Sequence, residues 1–409
     1  MKRFTQYIAE AKNLHMTNAE DAVIDGGVKG TRNVVNYLRD LRTMLSGNSK
    51  SPVNISVKWD GAPAVFAGTD PSDGKFFVAK KGIFNKNPKV YKTDADIDAD
   101  TSGDLNAKLK VALAEFSKLG IKDVIQGDFL YDKSDIKEDT IDGEPHITFH
   151  PNTIVYAIPA KSPLATKILR SEIGVVWHTN YRGKSFESMS ASFGEKIASN
   201  LKDTRSVWSV DAVYKDVSGN ATMTKTETDA ITLLLSAAGK QFNKVNKATF
   251  DGITENEELL TRVKTYLNVK VRAGEKITDP SKFVTDMVDW IYEYYEKEID
   301  KLKSEKGKAN KAEKRKEVMA YFSNIDKSQI VALFELYNMI IEVKLLIITK
   351  LDKAKAIGTF LKTKDGYRVT EQEGFVAIDR MGKNAVKLVD RLGFSKANFS
   401  DEFIKGWQK

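Results

Sequence analysis

The segment Ile55-Ser-Val-Lys58-Trp-Asp60-Gly61 puts a lysine at the end of an apolar, strand-like run, with an aspartate two residues on and a glycine after it. A lysine amine is a poor nucleophile while protonated; partial burial, a neighbouring cation or a metal helps it release the proton. A strand end would hold the amine rigidly, and Gly61 lets the backbone turn sharply so that a phosphate can come close. The plainer alternative is a surface lysine before a tight turn, since Lys-x-Asp-Gly recurs often by chance. Further along, Gly127-Asp128-Phe-Leu130 and Glu373-Gly374-Phe-Val-Ala-Ile378 each place a carboxylate beside a glycine at a strand boundary. Lys387 interrupts the apolar run Ala385 to Val389, and Lys80-Lys81 follow the strand-like Phe76-Phe-Val78. Tyr156, in Ile154-Val-Tyr-Ala-Ile158, suits a core ring or a base-stacking ring equally.

Histidines offer less. His146 and His150 stand four residues apart in Gly143-Glu-Pro-His-Ile-Thr-Phe-His-Pro151. A metal pair at that spacing would want a helix, but the prolines and Thr148 argue for a strand or loop with both rings on one face. A structural or substrate-contacting role is preferred to metal binding. The other two, His15 and His178, stand far off, and the absence of cysteine removes disulfides, thiol nucleophiles and cysteine-ligated zinc.

The elements that would carry these residues are mixed. Thr31 to Leu45 reads as a helix with Val34, Leu38, Leu41 and Leu45 on one face. Strands are expected at 53–57, 64–66, 75–78, 123–126, 153–158 and 174–178, with Asp73-Gly74 as a hairpin signal. A helix through Leu105, Leu109, Ala112 and Phe116 is stopped at Gly120. From about Lys225 to Ala356 the periodicity turns helical, as in Phe283 to Leu302 and Lys327 to Lys355, the latter opening on the capping signal Asp326-Lys-Ser-Gln329. The basic run Lys301 to Lys316 has no apolar stripe and reads as a solvated connection or exposed helix face, and only secondarily as a phosphate-binding patch. Strand patterns return after Gly358. The fold expected is α+β, with a helical module spanning 225–356 inserted between core segments 11–224 and 357–409.

Composition sets wide bounds. The 409 residues suffice for two or three domains, and 41% hydrophobic with 29% charged residues is ordinary for a globular chain. The net charge of +8 permits a polyanionic partner without requiring one. The most apolar run, Tyr337 to Ile348, is broken by Glu342 and Lys344, so no membrane partner is expected.

Taken in order, Lys58-Trp-Asp-Gly61, Gly127-Asp128, Glu373-Gly374 and Ala385-Val-Lys387-Leu-Val389 resemble the nucleophile, third, fourth and fifth motifs of the covalent nucleotidyltransferase superfamily: DNA ligases, RNA ligases and mRNA capping enzymes. The resemblance implies an antiparallel-sheet, ATP-grasp-like ligase adenylation core in which Lys58 attacks ATP and carries AMP as a phosphoramidate. It implies Asp60 and Gly61 in the nucleotide-binding turn, Asp128 and Glu373 binding ribose and Mg²⁺ or Mn²⁺, Lys387 at the α-phosphate, Lys80 and Lys81 near the acceptor phosphate, and Tyr156 on adenine. The chain departs from the family at Pro63, where an arginine is common, and at Asp128, where glutamate is usual. Ala385 replaces the first of two lysines, for which Lys383 could substitute. The short stretch after Lys387 leaves no room for the C-terminal OB fold of DNA ligases and capping enzymes. RNA ligases often use helical modules instead, so RNA is the favoured nucleic-acid partner; a DNA ligase is the alternative. A third reading is a divergent, non-catalytic nucleic-acid binder. Residues 1–10, with Phe4, Tyr7 and Ile8 on one side and the triplet Ile8-Ala9-Glu10, resemble the capsid-targeting peptides of T-even-type bacteriophage head proteins. That resemblance implies a location in the host cytoplasm or the phage capsid interior; an N-terminal helix docked on the core is the alternative.

Overall fold

The computed structural model describes residues 17–47, 53–212, 222–352, 357–364, 366–370, 373–379, 385–400 and 402–406. The Ile8-Ala9-Glu10 triplet and Lys383 therefore lie outside the described residues. In chain order come α1 (Asp21–Asp25), α2 (Gly27–Leu45), β1 (Val53–Lys58), β2 (Ala64–Thr69), β3 (Phe76–Ala79), α3 (Asp94–Asp100), α4 (Gly103–Phe116) and β4 (Val124–Asp132). There follow β5 (Lys137–Ile141), β6 (Glu144–Phe149), β7 (Ile154–Pro159), α5 (Pro163–Arg170), β8 (Ile173–Arg182), β9 (Ser190–Phe193) and β10 (Val207–Asp211). Six helices come next: α6 (Lys225–Lys244), α7 (Lys247–Thr254), α8 (Glu257–Arg272), α9 (Pro280–Asp300), α10 (Glu305–Asn324) and α11 (Lys327–Leu351). The chain closes with β11 (Gly358–Thr363), β12 (Gly366–Val369), β13 (Gly374–Asp379), β14 (Ala385–Leu388) and α12 (Arg391–Phe399).

The strands form three sheets, ordered β1-β13-β14, β10-β8-β4-β2-β3 with β9 on β8, and β12-β11-β7-β6-β5. Pairing is antiparallel except for β10 on β8, so the α+β class holds. Two of the sheets join strands from either side of the helical segment: β1 pairs with β13, and β7 with β11. The middle sheet buries Val65, Ala67, Ile125, Phe129, Val175 and Trp177 against Leu109, Ala112 and Phe116 of α4, the apolar stripe that the sequence spacing marks. Strands β5, β9, β10 and β12 are additions to the sequence reading, β6 settles the strand-or-loop segment round His146 as a strand, and β4 runs on to Asp132 rather than stopping at Gln126.

The helical body is built round α11, which is buried on several sides through Ile330, Leu333, Phe334, Leu336, Tyr337, Ile340, Val343 and Ile347. The helix buries its face against α6, α9 and α2. Each of α6–α11 starts on a side-chain cap for its orphan N–H groups: Asp279 caps α9 ahead of Pro280, and Asp326 caps α11 through the Ser328 N–H. The basic run expected as solvated is the first half of α10, whose buried residues are Val318 and Tyr321 in its second half. Cations hold that part of the helix in place of an apolar stripe: Lys311 lies 5.3 Å from the Tyr295 ring and, at mid-helix, the Arg315 guanidinium lies 4.9 Å from Tyr292, both rings on α9. One boundary needs correction. Helices α1 and α2, assigned by sequence to the first core segment at 11–224, share a hydrophobic core with α6–α11, and Phe375 and Leu388 of the first sheet join it. Among the described residues no helix is long and apolar enough to cross a membrane.

Candidate functional site

Lys58 is the last residue of β1 and lies opposite Gly374, the first residue of β13. Gly374 has φ +149°, and a Cβ there would sit 2.4 Å from the Leu388 carbonyl oxygen, so the strand can start against β14 only with glycine. Glu373, just before it, directs its carboxylate onto the Lys58 ammonium in a direct ion pair. Val376 pairs with Lys387 on β14. Opposed residues share a face, as do residues two apart on one strand, so Lys58 and Lys387 project from the same face of this sheet.

The third participant comes from the neighbouring sheet. After Lys58 the chain turns over β4: the Ala62 N–H donates to the Phe129 carbonyl at 2.9 Å, and the Phe129 N–H donates to Pro63 O at 3.0 Å. A Cβ at position 61 would lie 2.6 Å from Asp128 Cβ and 2.8 Å from Phe129 O. Glycine there is what lets the turn close on Asp128. The turn is locked from below by Asp60, which is 3% exposed. Its carboxylate accepts from the Asn152 side chain at 2.6 Å, Thr153 N–H at 2.7 Å and Ile154 N–H at 2.8 Å, while its own N–H donates to the Tyr156 hydroxyl at 2.7 Å.

Electrostatics couple these groups. Burial disfavours the Lys58 ammonium, but the charge and hydrogen bond of Glu373, then Asp128 and Asp60, outweigh it and hold the amine above its ordinary range. Burial pushes Glu373 up to about 7, against the pull of Lys58 and with the repulsion of Asp60 and Asp128 added. Lys387 is displaced the other way: burial, then the positive charge of Lys58, lower it, Glu373 opposes, and Lys81 lowers it further. Two lysines, two solvent-reached carboxylates and the buried Asp60 thus feel one another at the seam of two sheets. Such a set can bind a polyanion, hold a divalent cation and present an amine to phosphorus.

A family model described as a family of unknown function, DUF6267, matches residues 13–402. The chain belongs to the DUF6267 family. No curated protein and no solved structure matches it.

In this DUF6267 protein the residues singled out from sequence divide into three groups. Lys58, Gly61, Asp128, Glu373 and Lys387 converge. Lys81, exposed at the start of a short 3₁₀ turn (Lys81–Phe84), is close enough to act on Lys387. Lys80 is engaged elsewhere: its ammonium lies 3.0 Å from Asp100 and 5.8 Å from the Tyr91 ring. Two expectations are corrected. The Tyr156 ring is 2% exposed, packed 5.0 Å from Trp59 and 5.4 Å from Phe149, so it is a core ring rather than a base platform. The Asp60 carboxylate is consumed by the 152–154 segment and is a brace for the turn, not a nucleotide ligand. His146 bonds the carbonyl of Glu144 at 2.9 Å, and His150 bonds Thr153 O at 3.2 Å with burial lowering its pKa to about 4.

Sequence reasoning missed His178. Its Nε2 lies 3.7 Å from Asp128 Oδ2, and its Nδ1 is 2.7 Å from Thr179 Oγ1. The residue sits on β8, and only the pairing of that strand with β4, which slips at Gln126/Gly127, brings it to the site. Among the described residues no group of three His, Asp or Glu side chains converges as a metal cage. Mg²⁺ commonly takes one or two carboxylates and completes its shell with water and substrate phosphates, and Asp128 with Glu373 fits that donor set.

Proposed function

We propose that the chain is a lysine-dependent nucleotidyltransferase that joins nucleic-acid ends, an ATP-dependent polynucleotide ligase for which RNA is the favoured substrate and DNA the alternative. One observation carries the reading: Lys58, Asp128, Glu373 and Lys387, 329 positions apart from first to last (387 − 58) and matching the superfamily motifs in order, meet at one seam between two sheets. The preference for RNA rests on the resemblance, since RNA ligases often combine this core with helical modules.

The chemistry follows from the charges. With no substrate bound, Lys58 is held as an ammonium by Glu373, so the amine must lose a proton before it can act. The neutral amine attacks the α-phosphorus of ATP; an N–P bond forms and the P–O bond to pyrophosphate breaks. Lys387 neutralises charge gathering on the α-phosphate oxygens. A divalent ion at Asp128 and Glu373 would supply Lewis acidity at the phosphates. The AMP then passes to a 5′-phosphate end, returning the lysine amine, and a 3′-hydroxyl displaces AMP to seal the strand.

The test is incubation with labelled ATP and Mg²⁺ or Mn²⁺, followed by denaturing electrophoresis. A covalent protein–nucleotide adduct is expected, and Lys58→Ala should remove it by at least about a thousandfold, a loss of ~4 kcal/mol in transition-state stabilisation. Offering 5′-phosphorylated RNA and DNA ends then separates the two substrates. No adduct with either metal would leave a nucleic-acid binder without ligation.

A further inference from the structure

The edge of β14 is not free. The Lys387 N–H donates to Thr17 O at 3.0 Å, the Ala19 N–H donates to Lys387 O at 3.0 Å, and Asn18 pairs with Lys387 in a parallel bridge. Residues 17–19 thus form a strap that grips both main-chain polar groups of the lysine facing Lys58. The two residues that follow are anchored in the helical body. The Glu20 carboxylate lies 2.7 Å from Lys344 Nζ on α11, with both side chains 2% exposed, and 3.8 Å from the Arg391 guanidinium. Asp21 accepts from Arg391 Nη1 at 2.8 Å, the Tyr337 hydroxyl at 3.1 Å and the Asn18 side-chain amide at 3.1 Å. Arg391 also reaches Asn268 on α8 at 2.7 Å.

A buried ion pair is a poor source of net stability, but its directional demands suit it to fixing one arrangement of chain segments. Here the arrangement fixed is that of three distant stretches, α1, α11 and the start of α12, at the strand that carries Lys387. Asp21 also acts on Lys387 through its charge.

We propose that Glu20 and Asp21 are positioning residues for Lys387: the helical body grips them through Lys344 and Tyr337, Arg391 at the start of α12 joins the grip, and strap 17–19 transmits that position to the Lys387 amine. The importance of that amine for nucleotide transfer rests on the function proposed above; the strap itself does not.

The experiment follows the reactivity of individual lysines toward an amine-acylating reagent by mass spectrometry, in the full-length protein. Exposed Lys225 serves as the reference and buried Lys108 as the check that the fold is intact. Asp21→Asn and Arg391→Met should each speed labelling of Lys387 relative to Lys225, by about threefold or more, because a loosened strand exposes the amine. Arg391→Met keeps the Asp21 charge, so acceleration in Asp21→Asn alone would mean a pure charge effect and would overturn the strap. Unchanged Lys387 labelling in both would overturn it too. Should Lys108 become reactive in either variant, Tyr337→Phe, which removes one hydroxyl from Asp21, carries the same expectation. Faster Lys387 labelling in a protein that never forms an ATP adduct would keep the strap and discard the nucleotidyltransferase.

Discussion

Two of the lysine–glutamate pairs, Lys344–Glu20 and Lys58–Glu373, differ in almost every respect except composition. Lys344 and Glu20 are each 2% exposed, and the Arg391 guanidinium lies 3.8 Å from the Glu20 carboxylate. Lys58 and Glu373 are 23% and 12% exposed; burial, with the charges of Asp60 and Asp128 added, raises Glu373 to about 7, and burial with the charge of Lys58 lowers Lys387. The first pair is closed, with charge matched by charge. The second is open to solvent and surplus in both signs, so a phosphate, a metal or a proton can rearrange it. Perturbed groups at a solvent-reached seam are where chemistry is to be sought, while a sealed pair of the same residues serves architecture.

Breaking the closed pair should give the largest loss of stability. Lys344→Met leaves Glu20 buried with its main partner gone, and urea unfolding should show a loss of about 3–5 kcal/mol. The corresponding cut in the second pair, Lys58→Ala, should cost less, because Glu373, already pushed up to about 7, can take up a proton and lose its charge. Equal losses would erase the distinction. Gly61→Ala comes next: the added methyl meets Asp128 Cβ at 2.6 Å and Phe129 O at 2.8 Å. It should destabilise by about 1–3 kcal/mol and reduce adduct formation by moving Asp128.

Glu373 sharpens the comparison through pH. Its folded pKa, about 7, stands above the ordinary 4.5, so the folded protein holds this proton more tightly than the unfolded chain. Its contribution to stability is complete below about 4.5 and is lost as pH rises through about 7. Relative to Glu373→Gln, the wild-type protein should therefore lose stability across that window, by on the order of 1–3 kcal/mol; a gain instead would reverse the assigned sign. The smallest effect is expected from Tyr156→Phe. It removes the hydroxyl bonded to the Asp60 N–H and should cost ~1 kcal/mol in unfolding, with ATP binding unchanged, as befits a core ring. Weakened ATP binding without loss of stability would restore Tyr156 to the nucleotide site.

Much of the site was readable in one dimension. Lys58 ends an apolar run and Lys387 interrupts one, while Asp128 and Glu373 are picked out by the order of the motifs that the chain resembles. What spacing leaves open is which neighbour a polar side chain will find. Asp60 reads as a ligand until the 152–154 segment, more than 90 residues on, is seen to claim its carboxylate. Lys80 and Lys81 are equivalent in sequence, but the 3₁₀ turn that opens at Lys81 parts them, Lys80 going to Asp100 and Lys81 acting on Lys387. His178 carried no motif at all and is brought in only by the slipped pairing of β8 with β4. The helical body was legible where apolar stripes exist, as in α9 and α11. The basic run of α10 has none, since its anchors are cations over tyrosine rings, a pattern that hydrophobic periodicity does not register.

The central claim concerns one nitrogen atom. Peptide mapping of the protein after incubation with ATP and Mn²⁺ should find a single adenylated lysine, at position 58. Adenylation at Lys387 or Lys81 instead, or none at any lysine while the protein remains folded, would contradict the account.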